Sequence, residues 1–381
     1  VKDSTQVYYQ LASKELLYMR SLSSEKYVAR IGISYRVFPS FRDSKNAVDS
    51  GMIYFEDSIS INKINVPRKI VGKNTFFIPD GKNWVAEIKV EDFNRHTQTV
   101  LYFQISKSEA RNPDDYLILN PQTGLPYFDR FFTSGDSVFI KTKTMSEDKL
   151  YVWYQSPDYT LPPPPFSVSA PKVLKYDADR LYQAEKIDSL RVFAFRLQEQ
   201  GIYQFKSELN AVTGKSIQVF YEGYPRMMTY ENMIAPLRFL TTKNEFEELT
   251  ENPNKRLAVE NFWLEVGQNK NRARELIKEF YGRVELANKF FATYQEGWRT
   301  DRGMIYLIFG PPNSVYKTND SESWVYGEDN NLMSINFVFV KKEHPFTQNL
   351  YILNRSSIYQ TVWYRAVDMW RQGRIVQNNF Q

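Results

Sequence analysis

The sequence has no cysteine among its 381 residues, and this absence excludes several kinds of site. The chain cannot form a disulfide, use a thiol nucleophile, or hold zinc or an iron–sulfur cluster through cysteine. A cysteine-free chain is also compatible with an oxidising compartment, where a stray thiol is a liability.

Residues that usually carry catalysis are equally scarce. The two histidines, His96 and His344, lie far apart in the sequence. The sequence therefore predicts neither a His-based triad nor a multi-histidine metal site. Residues 214–216 resemble the end of a phosphate-binding loop, but Leu209 stands where that motif requires glycine. No acidic pair stands out. We therefore predict that the protein is not an enzyme and has no catalytic, cofactor-binding or metal-binding residues.

Long apolar runs and blocks of one charge are also missing. The sequence has no run of about 18 or more apolar residues, which is the length needed to span a bilayer. The net charge of +5 is mild and no Lys/Arg-rich block is present, so we expect no nucleic-acid partner. The polar start at Val1, without an initiator Met, is typical of a processed or trimmed chain.

Aromatic residues are abundant, at 16% of the chain with 26 Tyr and 27 Phe, and they favour strands. Five short alternating segments in the first third predict an antiparallel, Ig-like β-sandwich over residues 1–110. These segments are residues 27–38, 52–61, 74–78, 84–90 and 99–106. Six further strand candidates between residues 116 and 221 predict a second sandwich over 111–228.

The tetraproline run at residues 162–165 cannot pair as a central strand. It is either a stiff extended spacer or a recognition motif, and the lack of a flanking basic residue favours the spacer.

The pattern becomes helical over residues 229–296. Residues 244–249, 255–266 and 271–294 have helical periodicity, and the last of these carries one apolar stripe among charged residues. The stripe either docks on its own domain, which we favour, or binds a partner.

The final region, residues 297–381, is predicted to be a small α+β domain. The apolar run MIYLIF at 304–309 is a strand candidate, two further strands are expected between 323 and 340, and residues 356–371 are expected to form an aromatic-rich helix. The fold class is therefore α+β and multidomain.

One segment carries a family signature. Residues 297–303 read GWRTDRG, and MIYLIFGPPNSV and later WVY follow them. Together with Phe262-Trp263 and the Tyr281-x-Arg283-Val284 pattern upstream, this segment resembles the GWxTD domain over about residues 262–340. That family is found in envelope proteins of the Bacteroidota and some other Gram-negative lineages. The chain departs from the family where GQNK at 267–270 replaces a DPTP-like turn.

The resemblance implies a compartment and a domain type, not a reaction. It implies an exported protein of the periplasm or outer membrane, often lipid-anchored, with strand-rich regions before the GWxTD domain. A second, weaker resemblance is to the SmpA/BamE lipoproteins of the β-barrel assembly machinery, because both have an apolar strand or helix, a Gly-x-Pro turn, a polar loop and a Trp-x-Tyr strand. It implies a docking module.

The motif residues have two interpretations. Gly297 suits a left-handed helix cap, Thr300 and Asp301 are natural cap residues, and Gly303 permits a sharp turn into a strand. Arg302 could pair with Asp301 or with another neighbouring carboxylate. The motif is then a folding signature, which we favour. In the other interpretation it binds a ligand or protein.

Aromatic side chains are common interface anchors, so the C-terminal helix supplies further candidates. The predicted protein-binding residues are Trp298, Asp301, Arg302, Tyr359, Trp363, Tyr364 and Trp370.

Two functions fit this pattern. The first is a structural or adaptor subunit of an outer-membrane protein assembly or secretion complex, with envelope proteins as partners and a membrane contact through an N-terminal lipid anchor. The second is a carbohydrate-binding or carbohydrate-processing envelope protein, in which aromatic side chains of a sandwich stack on sugars. The GWxTD resemblance favours the first.

Overall fold

A computed structural model describes residues 4–22, 24–63, 66–79, 81, 83–107, 113–128, 131–143, 149–169, 171–172, 178–187, 191–328, 331 and 334–376. Its class is α+β, with antiparallel sheets along most of the chain and the helices in the C-terminal part. The chain separates into two compact units. Unit 1 comprises residues 1–112 and 126–128, and unit 2 comprises residues 113–125 and 129–381.

Unit 1 is built from seven strands in its described part. They are β1 Ser4–Ala12, β2 Met19–Arg20, β3 Lys26–Phe38, β4 Asp49–Ser60, β5 Lys69–Phe77, β6 Asn83–Asp92 and β7 Thr97–Ser106. Strands β1 and β5 pair with each other, while β3 pairs with β4 and β6, and β6 pairs with β7. The short β2 pairs with one end of β3.

The core of unit 1 follows from alternation along β3. Ile31 and Ile33 are buried in one hydrophobic cluster, and Val7 and Tyr9 of β1 pack against that cluster. Because side chains alternate across a strand, the polar and charged residues of β3 take the opposite face.

Unit 2 begins with an eight-stranded sheet. Its strands are β8 Tyr116–Leu119, β9 Phe132–Thr133, β10 Ser137–Thr142, β11 Leu150–Gln155, β12 Arg180–Ile187, β13 Val192–Arg196, β14 Gly201–Lys206 and β15 Lys215–Phe220. The spatial order is β8-β10-β13-β12-β11-β14-β15-β9, and among the described strands of this sheet only the β15–β9 pair is parallel. Strand β12 changes partner along its length, from β11 at residues 180–184 to β13 at 185–187.

The helices follow in the second half of unit 2. They are α1 Tyr230–Ile234, α2 Lys243–Glu251, α3 Lys255–Gly267, α4 Lys270–Phe291, α5 Asp301–Phe309 and α6 Tyr359–Arg371. Four strands lie between α5 and α6, namely β16 Ser314–Lys317, β17 Ser321–Tyr326, β18 Ile335–Lys341 and β19 Tyr351–Leu353. They form one antiparallel sheet in that order.

The predicted helices at 244–249, 255–266, 271–294 and 356–371 correspond to α2, α3, α4 and α6. Local signals explain where they begin. Thr242 and Glu245 form a reciprocal capping box at α2, and Asn269 caps α4. The apolar stripe of α4 faces its own unit, since Ala273, Phe280 and Val284 are buried in the core.

The strand predicted at 304–309 is wrong, because these residues lie in helix α5. Every residue of α5 is buried. A helix that is apolar all round shows no 3.6-residue period, so a short run of this kind cannot be told from a strand by pattern alone.

One hydrophobic core joins the helices to the C-terminal sheet. It includes Leu237 before α2, Trp263 in α3, Phe280 in α4, Ile305 in α5 and Phe337 in β18. The predicted boundary between 229–296 and 297–381 therefore crosses a continuous core. The predicted boundaries at 110 and 228 stay predictions.

Candidate functional site

The motif at residues 297–303 lies between the end of α4 and the start of α5, where two glycines allow close backbone contact. A Cβ added to Gly297 would overlap the carbonyl of Ala287 in α4. A Cβ added to Gly303 would overlap the carbonyl of Gly297 itself. The predicted left-handed cap at Gly297 is wrong, since Gly297–Arg299 form a 3-10 turn and α4 ends at Phe291. The turn predicted at Gly303 is likewise part of α5.

Trp298 is fully buried and held by polar contacts at both ends. Its backbone N–H donates to Asn288 Oδ1 at 3.3 Å, which ties the turn to α4. Its indole Nε1–H donates to Glu296 Oε1 at 3.0 Å. The Arg299 guanidinium lies 4.3 Å from its ring and also pairs with Glu296. Such contacts satisfy the polar edge of a buried indole.

Thr300 is the N-cap of α5, a helix that the sequence pattern did not predict. Its Oγ1 accepts a hydrogen bond from the Gly303 N–H at 3.0 Å and donates to the Gly297 carbonyl at 2.7 Å. One side chain therefore satisfies an orphan donor of the helix and closes the preceding turn.

Asp301 forms a buried ion pair rather than a cap. Its carboxylate accepts two hydrogen bonds from Arg355, with Nη2–Oδ1 at 2.5 Å and Nη1–Oδ2 at 3.0 Å, and a third from the Leu353 N–H at 2.8 Å. Burial raises the pKa of Asp301 above its ordinary value, and Arg355 opposes that rise. The bidentate geometry joins the start of α5 to the end of β19.

Arg302 pairs with a neighbouring carboxylate, and this carboxylate is Glu322 in β17, at 3.3 Å. Arg302 also donates to the Asn349 carbonyl at 2.8 Å and lies 4.1 Å from the Tyr351 ring. Burial lowers the pKa of Arg302. Burial acts to raise the pKa of Glu322, but Arg302 and Lys317 outweigh it and lower that pKa overall.

The other end of α5 is capped by two side chains that sequence reasoning did not single out for this role. Arg283 is buried, donates to the Ile308 carbonyl at 3.3 Å and to the Val376 carbonyl at 2.7 Å, and lies over the Trp370 ring. Trp370 Nε1 also donates to the Ile308 carbonyl, at 3.0 Å. A cation at a helix C-terminus is favoured by the helix dipole. In the sequence, Arg283 is one of the charged residues of the predicted helix 271–294 and part of the family resemblance, and neither pattern indicates this role.

The C-terminal helix divides the predicted aromatic anchors. Tyr359, Trp363 and Trp370 are buried because they recur on the inward face of α6, whereas Tyr364 is 51% exposed. Of the seven predicted protein-binding residues, Trp298, Asp301 and Arg302 are buried as well. A partner could therefore contact Tyr364 directly in this conformation. The binding role of the full set stays a prediction.

Tyr364 lines an open groove on the exposed side of α6, with a volume of about 450 Å³. The groove residues are Thr361, Tyr364, Arg365, Asp368, Met369, Gln372 and Arg374. The Phe166 ring packs beside Tyr364 with 5.2 Å between centroids. This surface therefore combines one exposed aromatic ring with charges of both signs.

The tetraproline run lies against this same unit. The Pro163 carbonyl accepts from Arg355 Nη2 at 3.0 Å, and the Pro165 carbonyl accepts from the Ser356 N–H at 3.1 Å. Leu161 and Phe166, at the two ends of the run, pack on the hydrophobic core. The run forms no strand, its last residue Pro165 lies in a turn that the Ser167 N–H closes on the Pro164 carbonyl, and Arg355 links the run to Asp301 of the motif.

Strands β14 and β15 also contact the C-terminal sheet through the loop between β18 and β19. Gln204 Nε2 donates to the Pro345 carbonyl at 2.9 Å, and Gln218 Nε2 donates to the Phe346 carbonyl at 3.1 Å. Phe346 packs with Ile202. The neighbouring His344 lies in this loop and accepts from the Phe346 N–H through Nδ1. These contacts make β14 and β15 part of the same structural unit as the motif.

A family model supports this grouping, because the GWxTD domain model matches residues 201–372. This chain contains a GWxTD domain. The match begins at β14 and ends directly after α6, so the GWxTD domain is longer than the 262–340 segment whose residues carry the resemblance. No curated protein matches the chain.

Two negative findings concern the described residues alone. Within the described residues, no three His, Asp or Glu side chains cluster so that they could hold a metal ion. In the same part of the chain, no helix is long and apolar enough to cross a membrane.

Proposed function

We propose that this protein is a non-catalytic structural or adaptor subunit of an outer-membrane protein assembly or secretion complex. In this proposal it is exported to the periplasm or the outer membrane of a Gram-negative cell and is held there by an N-terminal lipid anchor. Its partners are other envelope proteins. The GWxTD domain is the docking module.

The observation that carries the proposal is the internal use of the motif's polar groups. Asp301 and Arg302, two charged residues of the motif, are both buried in ion pairs within the domain. A buried, fully paired carboxylate is poorly placed for acid–base work on a substrate. The domain therefore fits a rigid scaffold better than a reaction centre.

The groove on α6 is the proposed contact surface. Tyr364 is an exposed aromatic residue on a helix whose other large aromatic residues anchor it to the core. Aromatic and arginine side chains are the usual anchors of protein interfaces, and Arg365 stands beside Tyr364. A rigid helix presents them with little loss of conformational entropy on binding.

Two finer proposals concern architecture. The strand-rich regions are proposed to be Ig-like sandwiches. Support comes from β1 and β5 packing over β3 in unit 1, and from the partner change along β12 in unit 2. The order of α5, the turn at residues 310–312 and strands β16–β18 supports a likeness to the SmpA/BamE modules.

A pull-down from native membranes tests the adaptor function. Full-length tagged protein, solubilised in mild detergent, is expected to recover outer-membrane barrel or secretion subunits in stoichiometric amounts. The Tyr364→Ala variant is expected to lose them, because the interface anchor is gone. Tyr316→Ala is the matched control, since Tyr316 is 54% exposed in the same domain but lies on β16.

Three outcomes are informative. Loss with Tyr364→Ala and retention with Tyr316→Ala would support the α6 surface. Equal recovery with both variants would place the contact elsewhere on the protein. Recovery of the protein alone would contradict a stable-subunit role, and binding to a glycan array would then favour the carbohydrate alternative.

A further inference from the structure

Strand β7, Thr97–Ser106, forms one edge of the larger sheet of unit 1. Within the described residues it pairs with β6 and with no other strand. An edge strand leaves every second N–H and C=O pointing away from its sheet, where they can bond another strand. Natural proteins usually protect such an edge with lysine, proline, a bulge or a covering segment.

Strand β7 has none of the protecting residue types. Its sequence, TQTVLYFQIS, contains no charged residue and no proline over ten positions. Apolar, uncharged segments of high strand propensity are those most prone to pair with another strand. The first charges beyond it are Arg95 on one side and Lys107 on the other.

The hydrophobic side chains that β7 contributes to the core face of the sheet are partly exposed to solvent at this edge. Leu101 lies opposite Ile88, and Phe103 lies opposite Ala86, so both face the side of the sheet that carries the core. Nevertheless Leu101 remains 46% exposed and Phe103 41% exposed. A further strand added beside β7 would cover both side chains.

We propose that β7 pairs with β7 of a second copy of this chain, antiparallel and around a two-fold axis at Tyr102. In this register Leu101 of each copy lies opposite Phe103 of the other, so the two open core edges cover each other. Since the strand carries no charge, self-pairing brings no like charges opposite one another, which would otherwise destabilise the pair. This inference does not depend on the adaptor function.

The register follows from the faces of the strand. Opposite residues of an antiparallel pair share one face of the sheet. Leu101 of one copy lies opposite Phe103 of the other only when the two-fold axis passes through the residue between them. Tyr102 is that residue. A two-fold interface of this kind is self-complementary and closed, which limits association to a dimer.

The first experiment measures the mass of the full chain in solution by sedimentation and light scattering. A one-strand interface is at the small end of stable interfaces, so the chain is studied up to the order of 0.1 mM. The proposal expects a monomer–dimer equilibrium with twice the single-chain mass at the upper end. A single-chain mass throughout overturns it.

The second experiment locates the contact with single cysteines, which the cysteine-free sequence makes unambiguous. Residues opposite each other in an antiparallel pair lie about 4.5–5.5 Å apart at Cα, within the range that a disulfide requires. The variant Tyr102→Cys is expected to form an intermolecular disulfide under mild oxidation. Val100→Cys is the matched control. In this register the two Val100 positions are offset from each other by about four residues along the paired strands, too far for a disulfide.

The third experiment disrupts the edge. Leu101→Lys and Phe103→Lys place a charge at half-exposed positions, where lysine can keep its ammonium in water. Both are expected to give a monomer with unchanged far-ultraviolet circular dichroism. Met52→Lys on strand β4, at 58% exposure, is expected to remain a dimer. Cross-linking through Val100→Cys rather than Tyr102→Cys, or a dimer that survives both β7 substitutions, overturns the proposal.

Discussion

At the scale of single residues, the motif works by pairing charges that lie far apart in the sequence. Asp301 and Arg355 are 54 residues apart, and Arg302 and Glu322 are 20 apart. Each pair is desolvated, so each partner depends on the other to remain charged inside the domain. The motif therefore connects α5 to the C-terminal sheet through two ion pairs.

Removing one partner leaves the other charge buried and uncompensated. Asp301→Asn is expected to lower the free energy of unfolding by about 3–5 kcal/mol, the cost of breaking a buried pair. Urea unfolding followed by tryptophan fluorescence measures this loss. Glu260→Gln removes the exposed i,i+4 partner of Arg256 and is expected to cost less than about 1 kcal/mol. Equal losses for the two variants would contradict the structural role of Asp301.

Lys206 gives a prediction about pH. It is buried in β14 with its Nζ 3.2 Å from the centre of the Trp153 ring, and burial lowers its pKa from 10.5 to about 8. Between these values the unfolded chain binds the proton and the folded chain does not, so stability rises with pH from about 8 toward 10.5.

Unfolding free energies of the wild-type protein and of Lys206→Met at several pH values between 8 and 9.5 test this sign, because tyrosine ionisation contributes equally to both proteins and cancels in their difference. The wild-type protein is expected to gain stability relative to Lys206→Met as pH rises. A difference between the two proteins that stays constant with pH would show that the lysine titrates at its ordinary value.

At the scale of elements, periodicity predicts well wherever an element has one buried and one solvated face. Helix α4 is of this kind, and the apolar stripe that its spacing predicts is buried in the core. Helix α5 has no solvated face, so its pattern carries no period and predicts a strand. Its two ends are capped by Thr300 and Arg283.

The two faces of α6 are expected to respond differently to truncation. Trp370→Ala removes a fully buried ring and its hydrogen bond to Ile308, and is expected to cost about 3–5 kcal/mol. Tyr364→Ala, on the exposed face, is expected to cost about 1 kcal/mol or less. Thermal unfolding by circular dichroism compares them, and a large loss of stability for Tyr364→Ala would weaken its use as a binding probe.

At the scale of the whole molecule, the extent of the GWxTD domain depends on contacts that local patterns do not reveal. The resemblance carried by single residues begins near Phe262, whereas the family match begins at residue 201. The segment from residue 201 contacts the C-terminal sheet through Gln204 and Gln218, which bond the loop of that sheet across more than a hundred residues. The ion-pair partners of the motif were unpredictable for the same reason.

These contacts predict which truncated fragments of the chain can fold. A fragment from residue 113 keeps the eight-stranded sheet and is expected to be soluble and folded. A fragment from residue 201 loses β11, the partner of the fully buried strand β14, and is expected to aggregate because an apolar edge is exposed. Expression trials with size-exclusion chromatography compare the two, and a monomeric, cooperatively folded 201–381 fragment would contradict the dependence on β11.

Urea unfolding of the Gly303→Ala and Gly282→Ala variants tests most directly whether the motif stabilises the fold. Both glycines lie in helices, but an added Cβ at Gly282 meets nothing within 4 Å, whereas at Gly303 it overlaps the Gly297 backbone. Gly282→Ala is expected to stabilise the protein by about 0.5–1 kcal/mol, since alanine favours the helix. Gly303→Ala is expected to destabilise it by about 3 kcal/mol or more, because backbone must move. Equal, small effects of the two substitutions would contradict a structural role for the motif.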